Sequence, residues 1–222
     1  MPVRKFSRYI LTNFYKPLLV KYLSKERRYT YDSVTLQIPP EVFHPGFFFS
    51  THLLLKQVMR LPLEGKKFLE LGAGNGLIAT KAARAGASVT ATDINKVATD
   101  YLLKNMAANK VELTVIESDL FANIPMQVFD IISINPPYYL KTPGTLQEYA
   151  WFCGENGEYF RGLFTGISNY IDRNSVVLMI LCEGADRELV RHIANSNGFE
   201  MECISESRNL VEKNYIYRIH PQ

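Results

Sequence analysis

The sequence predicts an α/β fold with a mostly parallel sheet, and two patterns point to it. From residue 66 onward, short apolar runs alternate with helical stretches of about ten or more residues, as in a sheet covered on both faces. The last two apolar runs follow each other with no helix between them, so they pair as a hairpin and put one antiparallel strand into the sheet. Composition agrees: the 222 residues are 47% hydrophobic and 21% charged, which excludes wholesale disorder. The length suits one α/β domain with an extension.

Taken in order, residues 28–43 are β-branched and aromatic and stop at Pro39-Pro40, which predicts a strand or hairpin. His44-Pro45-Gly46 is a turn. Thr51–Arg60 carries Leu53, Leu54 and Val58 on one face, with Leu61 just beyond, and is a helix ended by Pro62. Seven strands follow, at Lys67–Leu71, Ser88–Thr92, Val111–Glu117, Val128–Ile134, Val176–Leu181, Phe199–Glu206 and Tyr215–Ile219. Helices are expected over residues 75–85, Asn95–Asn109, 155–171 and Ala185–Asn197, with Asn95 as a good cap and Gly198 as a stop. Phe47-Phe48-Phe49 reads as core and pocket wall.

The domain divides at residue 41, with an extension over 1–41 and a main body over 42–222. Residues 1–30 hold eight basic residues against the single acid Glu26, so the rest of the chain is slightly acidic. Phe6, Tyr9, Ile10, Phe14, Leu18, Leu19 and Tyr22 fall between those basic residues at roughly helical spacing. The segment is either an amphipathic helix docked on the body or a basic arm for nucleic acid or an acidic protein. Cys153, Cys182 and Cys203 are widely spaced and form no CxxC pair, and His44, His52, His192 and His220 are scattered, so no metal site is expected. No apolar run reaches membrane-spanning length and no secretory signal is visible, which leaves a reducing cytoplasm as the expected location.

The chemistry concentrates at the strand ends. Glu70-Leu71-Gly72-Ala73-Gly74-Asn75-Gly76 is a strand, a glycine loop and a helix start. Gly72, Gly74 and Gly76 permit positive φ and close approach of a ligand to the backbone. The spacing is GxGxG with an acid two residues ahead, and Glu70 there suits a cationic or ammonium-bearing ligand rather than a pyrophosphate. Asp93, about twenty residues past the loop, stands where a carboxylate holds a ribose diol, with Ile94 flanking an adenine ring. Asp119, after the third strand, is placed to accept from the adenine amino group, with Leu120 beneath the ring.

Asn135-Pro136-Pro137-Tyr138 follows the fourth strand directly. Two prolines remove two backbone donors and stiffen the turn. The Asn135 side-chain oxygen and the Pro136 carbonyl are then free to accept from one planar NH2 group. An amide or base amine is a poor nucleophile because its lone pair is delocalised, and two acceptors favour pyramidal nitrogen and free that pair. Tyr138 packs on the planar group.

With these residues in hand, the chain resembles the class I S-adenosylmethionine-dependent methyltransferases and, within them, the HemK-like and small-domain group with an NPPY motif. The resemblance implies a Rossmann-like seven-stranded sheet, S-adenosylmethionine as cofactor, and a macromolecular methyl acceptor. It implies that Glu70, Gly72, Gly74, Asp93 and Asp119 hold the cofactor, that Thr51 serves its carboxylate, and that Asn135 and Tyr138 face the substrate. In HemK-like members a Trp-Gly-Gly element stands where this chain has Trp151-Phe152-Cys153-Gly154.

The expected activity is N-methylation of a planar NH2. The basic, tyrosine-bearing start of the chain (Tyr9, Tyr15, Tyr22, Tyr29) favours an exocyclic base amine of RNA or DNA. The alternatives are a protein glutamine, as in release-factor methylation, and a cofactor-binding subunit without catalysis.

Overall fold

A computed structural model describes residues 24–46, 49–209 and 212–222 of the chain. The helical reading of residues 6–22, Phe47 and Phe48 lie outside the described residues.

The first two strands, β1 (Arg27–Tyr31) and β2 (Val34–Ile38), form an antiparallel hairpin. Asp32 and Ser33 close it with φ of 43° and 67°, the doubly left-handed two-residue turn whose twist matches paired strands. Asn105 and Asn109, one helical turn apart on α3 (Lys96–Asn109), pair with the outer edge of β2. Asn105 Oδ1 accepts from Gln37 N and its Nδ2 donates to Gln37 O, and Asn109 does the same with Thr35, at 2.7–3.0 Å. Val34, Leu36 and Ile38 are buried in the body's core, so the hairpin, expected within an extension ending at residue 41, is packed into the body.

The remaining elements are α1 (Phe49–Val58), β3 (Lys67–Leu71), α2 (Leu77–Arg84), β4 (Ser88–Asp93), β5 (Thr114–Glu117), β6 (Ile131–Ile134), α4 (Glu158–Gly166), β7 (Val176–Cys182), α5 (Arg187–Ser196), β8 (Phe199–Arg208) and β9 (Lys213–Pro221). Seven strands form one sheet in the order β5-β4-β3-β6-β7-β9-β8. All neighbours are parallel except the two pairs made by β9, which is the expected antiparallel strand and pairs with β8 as a hairpin. Successive side chains of the central strands enter two cores. Leu69, Leu71, Ile132 and Ile134 pack with Phe160 and Phe164 of α4 on one face, while Phe68 and Ile131 pack with Leu54 of α1 and Leu77 of α2 on the other.

Several boundaries differ from the sequence reading. The third and fourth strands are shorter, because Val111, Glu112 and Leu113 carry no ladder and Val128 is 44% exposed. The helix expected over 155–171 is α4 followed by a 3-10 turn at Ile167–Tyr170. Phe49 opens α1 with 56% of its surface exposed, so it is not core. Tyr29 is engaged by the body through a 2.8 Å hydrogen bond between its hydroxyl and His52 Nε2, which removes it from the set of free stacking tyrosines.

Candidate active site

One cleft opens at the carboxyl ends of β3, β4, β5 and β6, where the sheet order reverses and parallel α/β folds bind ligands. It is lined by Thr51, Glu70, Gly72, Gly74, Asp93 and Asn135, and also by Ile94, Asp119, Leu120, Pro136 and Tyr138. It encloses about 1120 Å³, part of it open to solvent, which is room for a nucleoside-sized ligand.

Glu70 ends β3 with 6% of its surface exposed. Its carboxylate accepts from Ala79 N at 2.6 Å, in the first turn of α2, and so supplies the cap that Gly76 has no side chain to give. Burial pushes the Glu70 carboxyl up to about 8, with the Ala79 hydrogen bond opposing the rise and Asp93 adding to it. Gly72 and Gly74 have φ of 72° and 52°; a side chain at Gly72 would meet nothing, and one at Gly74 only Val42. The backbone here is bare toward the cleft. Gly76 does not line it: its φ of 76° favours glycine, and a Cβ there would press on the Leu102 side chain of α3.

Asp93 accepts from Gly74 N at 2.8 Å through one oxygen and from Asn95 N at 2.9 Å through the other. It ties the glycine loop to the end of β4, while Asn95 itself caps α3 by accepting from Val97 N. Burial raises the Asp93 carboxyl above its ordinary range and the backbone hydrogen bonds pull it back. Asp119 is exposed at the rim. Leu120 adopts φ of 47°, unusual for a side-chain-bearing residue, and the Ser118 hydroxyl holds the bend by donating to Leu120 O at 2.9 Å. Among the described residues no lysine or arginine forms an ion pair with Glu70 or Asp93. A buried and a half-buried acid without a cation, beside bare backbone, fit a ligand that brings its own positive charge.

The other end of the cleft is neutral. Asn135 Nδ2 donates to Ser50 Oγ at 3.3 Å. Tyr138 N and Tyr139 N both donate to Trp151 O, at 3.2 and 3.0 Å, and Cys153 N donates to Tyr139 O at 3.0 Å. The segment from Trp151 to Cys153 is thereby laced to the turn after Asn135. Burial, and then Cys182, raise the Tyr138 hydroxyl far above the ordinary phenol range, so it stays neutral. The Trp151 ring lies 5.1 Å from Phe43, tilted by 51°.

Sequence reasoning singled out neither Ser50, Phe43 and Tyr149 as site residues nor Tyr159, all but the first of which line the cleft. Burial and the carboxylates of Asp93 and Asp119 raise the Tyr159 hydroxyl. None of these sits in a recognisable motif. They reach the site through long-range packing, the one local signal being Phe43 just before the turn at His44-Pro45-Gly46.

A family model, the methyltransferase small domain, matches residues 34–149 of this chain. The chain belongs to that family. It is an S-adenosylmethionine-dependent methyltransferase, and S-adenosylmethionine is its cofactor. A putative protein N5-glutamine methyltransferase of Methanocaldococcus jannaschii is 31% identical over 155 residues, covering 67% of this chain and 76% of that protein. A ribosomal RNA small subunit methyltransferase C of Hamiltonella defensa is 33% identical over 123 residues, covering 54% of this chain and 36% of that protein. The solved structure of the T. thermophilus 16S rRNA N2 G1207 methyltransferase with AdoMet and guanosine superposes with a TM-score of 0.64 at 19% identity, covering 89% of this chain and 50% of that one, and so supports the fold.

Proposed function

We propose that this methyltransferase transfers its methyl group to the nitrogen of a planar NH2, and that the acceptor is an exocyclic amine of a nucleic-acid base. The observation that carries the reading is the Asn135 amide at the cleft, with its Nδ2 engaged by Ser50 and its oxygen left for the acceptor. Asn135 Oδ1 and the Pro136 carbonyl orient the two N–H bonds of the acceptor and favour pyramidal nitrogen. Tyr138, neutral and half-buried, packs on the acceptor plane. Bound S-adenosylmethionine would supply an electrophilic methyl carbon to the acceptor nitrogen, its sulfur keeping the C–S electron pair as a neutral thioether. The methylated nitrogen is then acidic and releases a proton to water, so Asn135 need not act as a base. Glu70, Asp93 and Thr51 hold the cofactor, with Asp119 and Leu120 at its adenine end.

Trp151 and Tyr149 at the mouth favour a base as acceptor, since flat rings stack on bases irrespective of sequence. The basic excess of residues 1–30 would add phosphate contacts. A protein glutamine is the second reading, favoured by the longer match to the archaeal relative. Transfer of labelled methyl groups to cell extract, with RNase and protease arms, separates them. Label lost to RNase supports the base, and label lost only to protease replaces it with the protein.

A further inference from the structure

We infer that Glu148 is a positioning residue for the acceptor, its carboxylate closing the loop after Tyr138 so that Leu146 and Tyr149 are held at the mouth of the cleft. The inference rests on the proposed acceptor end. The loop is tied at its base, where Tyr139 N donates to Trp151 O at 3.0 Å and Gly154 N donates to Lys141 O at 3.1 Å. Between those ties, residues 142–150 include no buried residue, so apolar burial does not hold the tip.

Glu148 holds it. Its Oε2 accepts from Gly144 N at 2.7 Å and its Oε1 from Lys141 Nζ at 3.0 Å. Its own N donates to Thr145 O at 3.0 Å, and its O accepts from Trp151 N and Phe152 N at 3.0 and 2.9 Å. Among the described residues, the hydrogen bonds of residues 142–145 all end on Glu148. An ionised carboxylate suits the place because it accepts at both oxygens and carries no competing donor. The Gly144 N–H, and then Lys141, hold the Glu148 carboxyl below the ordinary glutamate range. The exposed pair with Lys141 contributes little by itself, whereas the bond from Gly144 N is charge-assisted and fixes the backbone.

The residues held this way face the cleft. Leu146 and Tyr149 stand three apart in the 3-10 turn Leu146–Ala150, which puts them on one face, and both line the cleft. Leu146 is nevertheless 55% exposed and Tyr149 42% exposed. Apolar side chains half in water at the rim of a pocket are surface that an entering base would cover.

The tests are kinetics on unmodified ribosomal RNA transcribed in vitro, calorimetry with S-adenosylhomocysteine, and amide exchange by NMR. Glu148→Ala should raise KM for the RNA about tenfold, the lower part of the range for one stacked base, with kcat and S-adenosylhomocysteine affinity retained. With Leu146→Ala and Tyr149→Ala already in place, adding Glu148→Ala should cost little more, because the side chains it acts through are gone. Independently of turnover, the Gly144 amide should exchange about tenfold faster in Glu148→Ala than in the wild type, the scale of one lost hydrogen bond. Unchanged KM or unchanged Gly144 exchange in Glu148→Ala would overturn the inference. So would an equal KM penalty with and without Leu146 and Tyr149, or a matching loss of S-adenosylhomocysteine affinity, either of which marks general damage to the cleft. If the wild type methylates none of this RNA, the proposed acceptor fails, and the Gly144 exchange rate then decides whether Glu148 holds the loop.

Discussion

The two ends of the cleft, the proposed cofactor end around Glu70 and the proposed acceptor end around Asn135, present opposite electrostatics. Around Glu70 and Asp93 the protein places one buried and one half-buried carboxyl, satisfies them in part with backbone N–H groups, and pairs neither with a lysine or arginine among the described residues. Around Asn135 and Tyr138 it uses an amide, proline carbonyls and a phenol held neutral by burial. Acids with no paired cation suit a cationic cofactor, whose charge would favour release of the Glu70 proton. A neutral wall suits a nucleophile that must keep its lone pair. Substitutions at the two ends should therefore separate binding from chemistry.

The largest expected effect tests the neutral end. Asn135→Ala should reduce methyl transfer by about 10²-fold or more while calorimetry shows near-wild-type affinity for S-adenosylhomocysteine, the scale of losing one preorganised contact. Equal losses in both would merge the two ends into one. Next, Asp93→Ala should weaken cofactor binding by at least about tenfold, or about 1.4 kcal/mol, and recover activity at saturating cofactor. A fall in kcat at saturation would show that Asp93 also shapes the acceptor end.

Trp151→Ala should raise KM for a nucleic-acid acceptor by about tenfold, the lower part of the range for one stacked base, with cofactor affinity retained. Trp151 is the single tryptophan of the chain, so its fluorescence in the wild type reports the acceptor end alone and should respond to the acceptor in the presence of S-adenosylhomocysteine.

The smallest effect is in stability. Glu70 in the folded, ligand-free protein holds its proton to about pH 8, whereas the unfolded chain releases it in the ordinary glutamate range. The folded state binds more protons in that window, so stability falls as pH rises through it. Melting temperature should decline from pH 5 to pH 8, and Glu70→Gln should flatten that slope.

The same contrast explains how much of the molecule its sequence discloses. The proposed cofactor end is legible because each part sits at a strand end: Glu70 through Gly74 across the end of β3, Asp93 closing β4, Asp119 just after β5. Gly76 belonged to the same motif by spacing, yet Leu102 packs against it. The acceptor end is only half legible. Asn135-Pro136-Pro137-Tyr138 is contiguous, but its surroundings come from afar, Ser50 on α1 and Trp151 just after a 3-10 turn at Leu146–Ala150, and no local pattern encodes such meetings. The hairpin was visible as β-rich sequence. Its docking on Asn105 and Asn109 was not, because two asparagines on a helix read as ordinary surface residues until a strand edge lies beside them.

The most direct test of the central claim is mass spectrometry of nucleosides from RNA methylated by the purified protein, with wild type and Asn135→Ala compared. The account predicts a methyl group on an exocyclic base nitrogen, formed by the wild type and reduced by about 10²-fold or more in the variant. A methyl group on carbon or on a ribose oxygen, or equal product from both proteins, would contradict it.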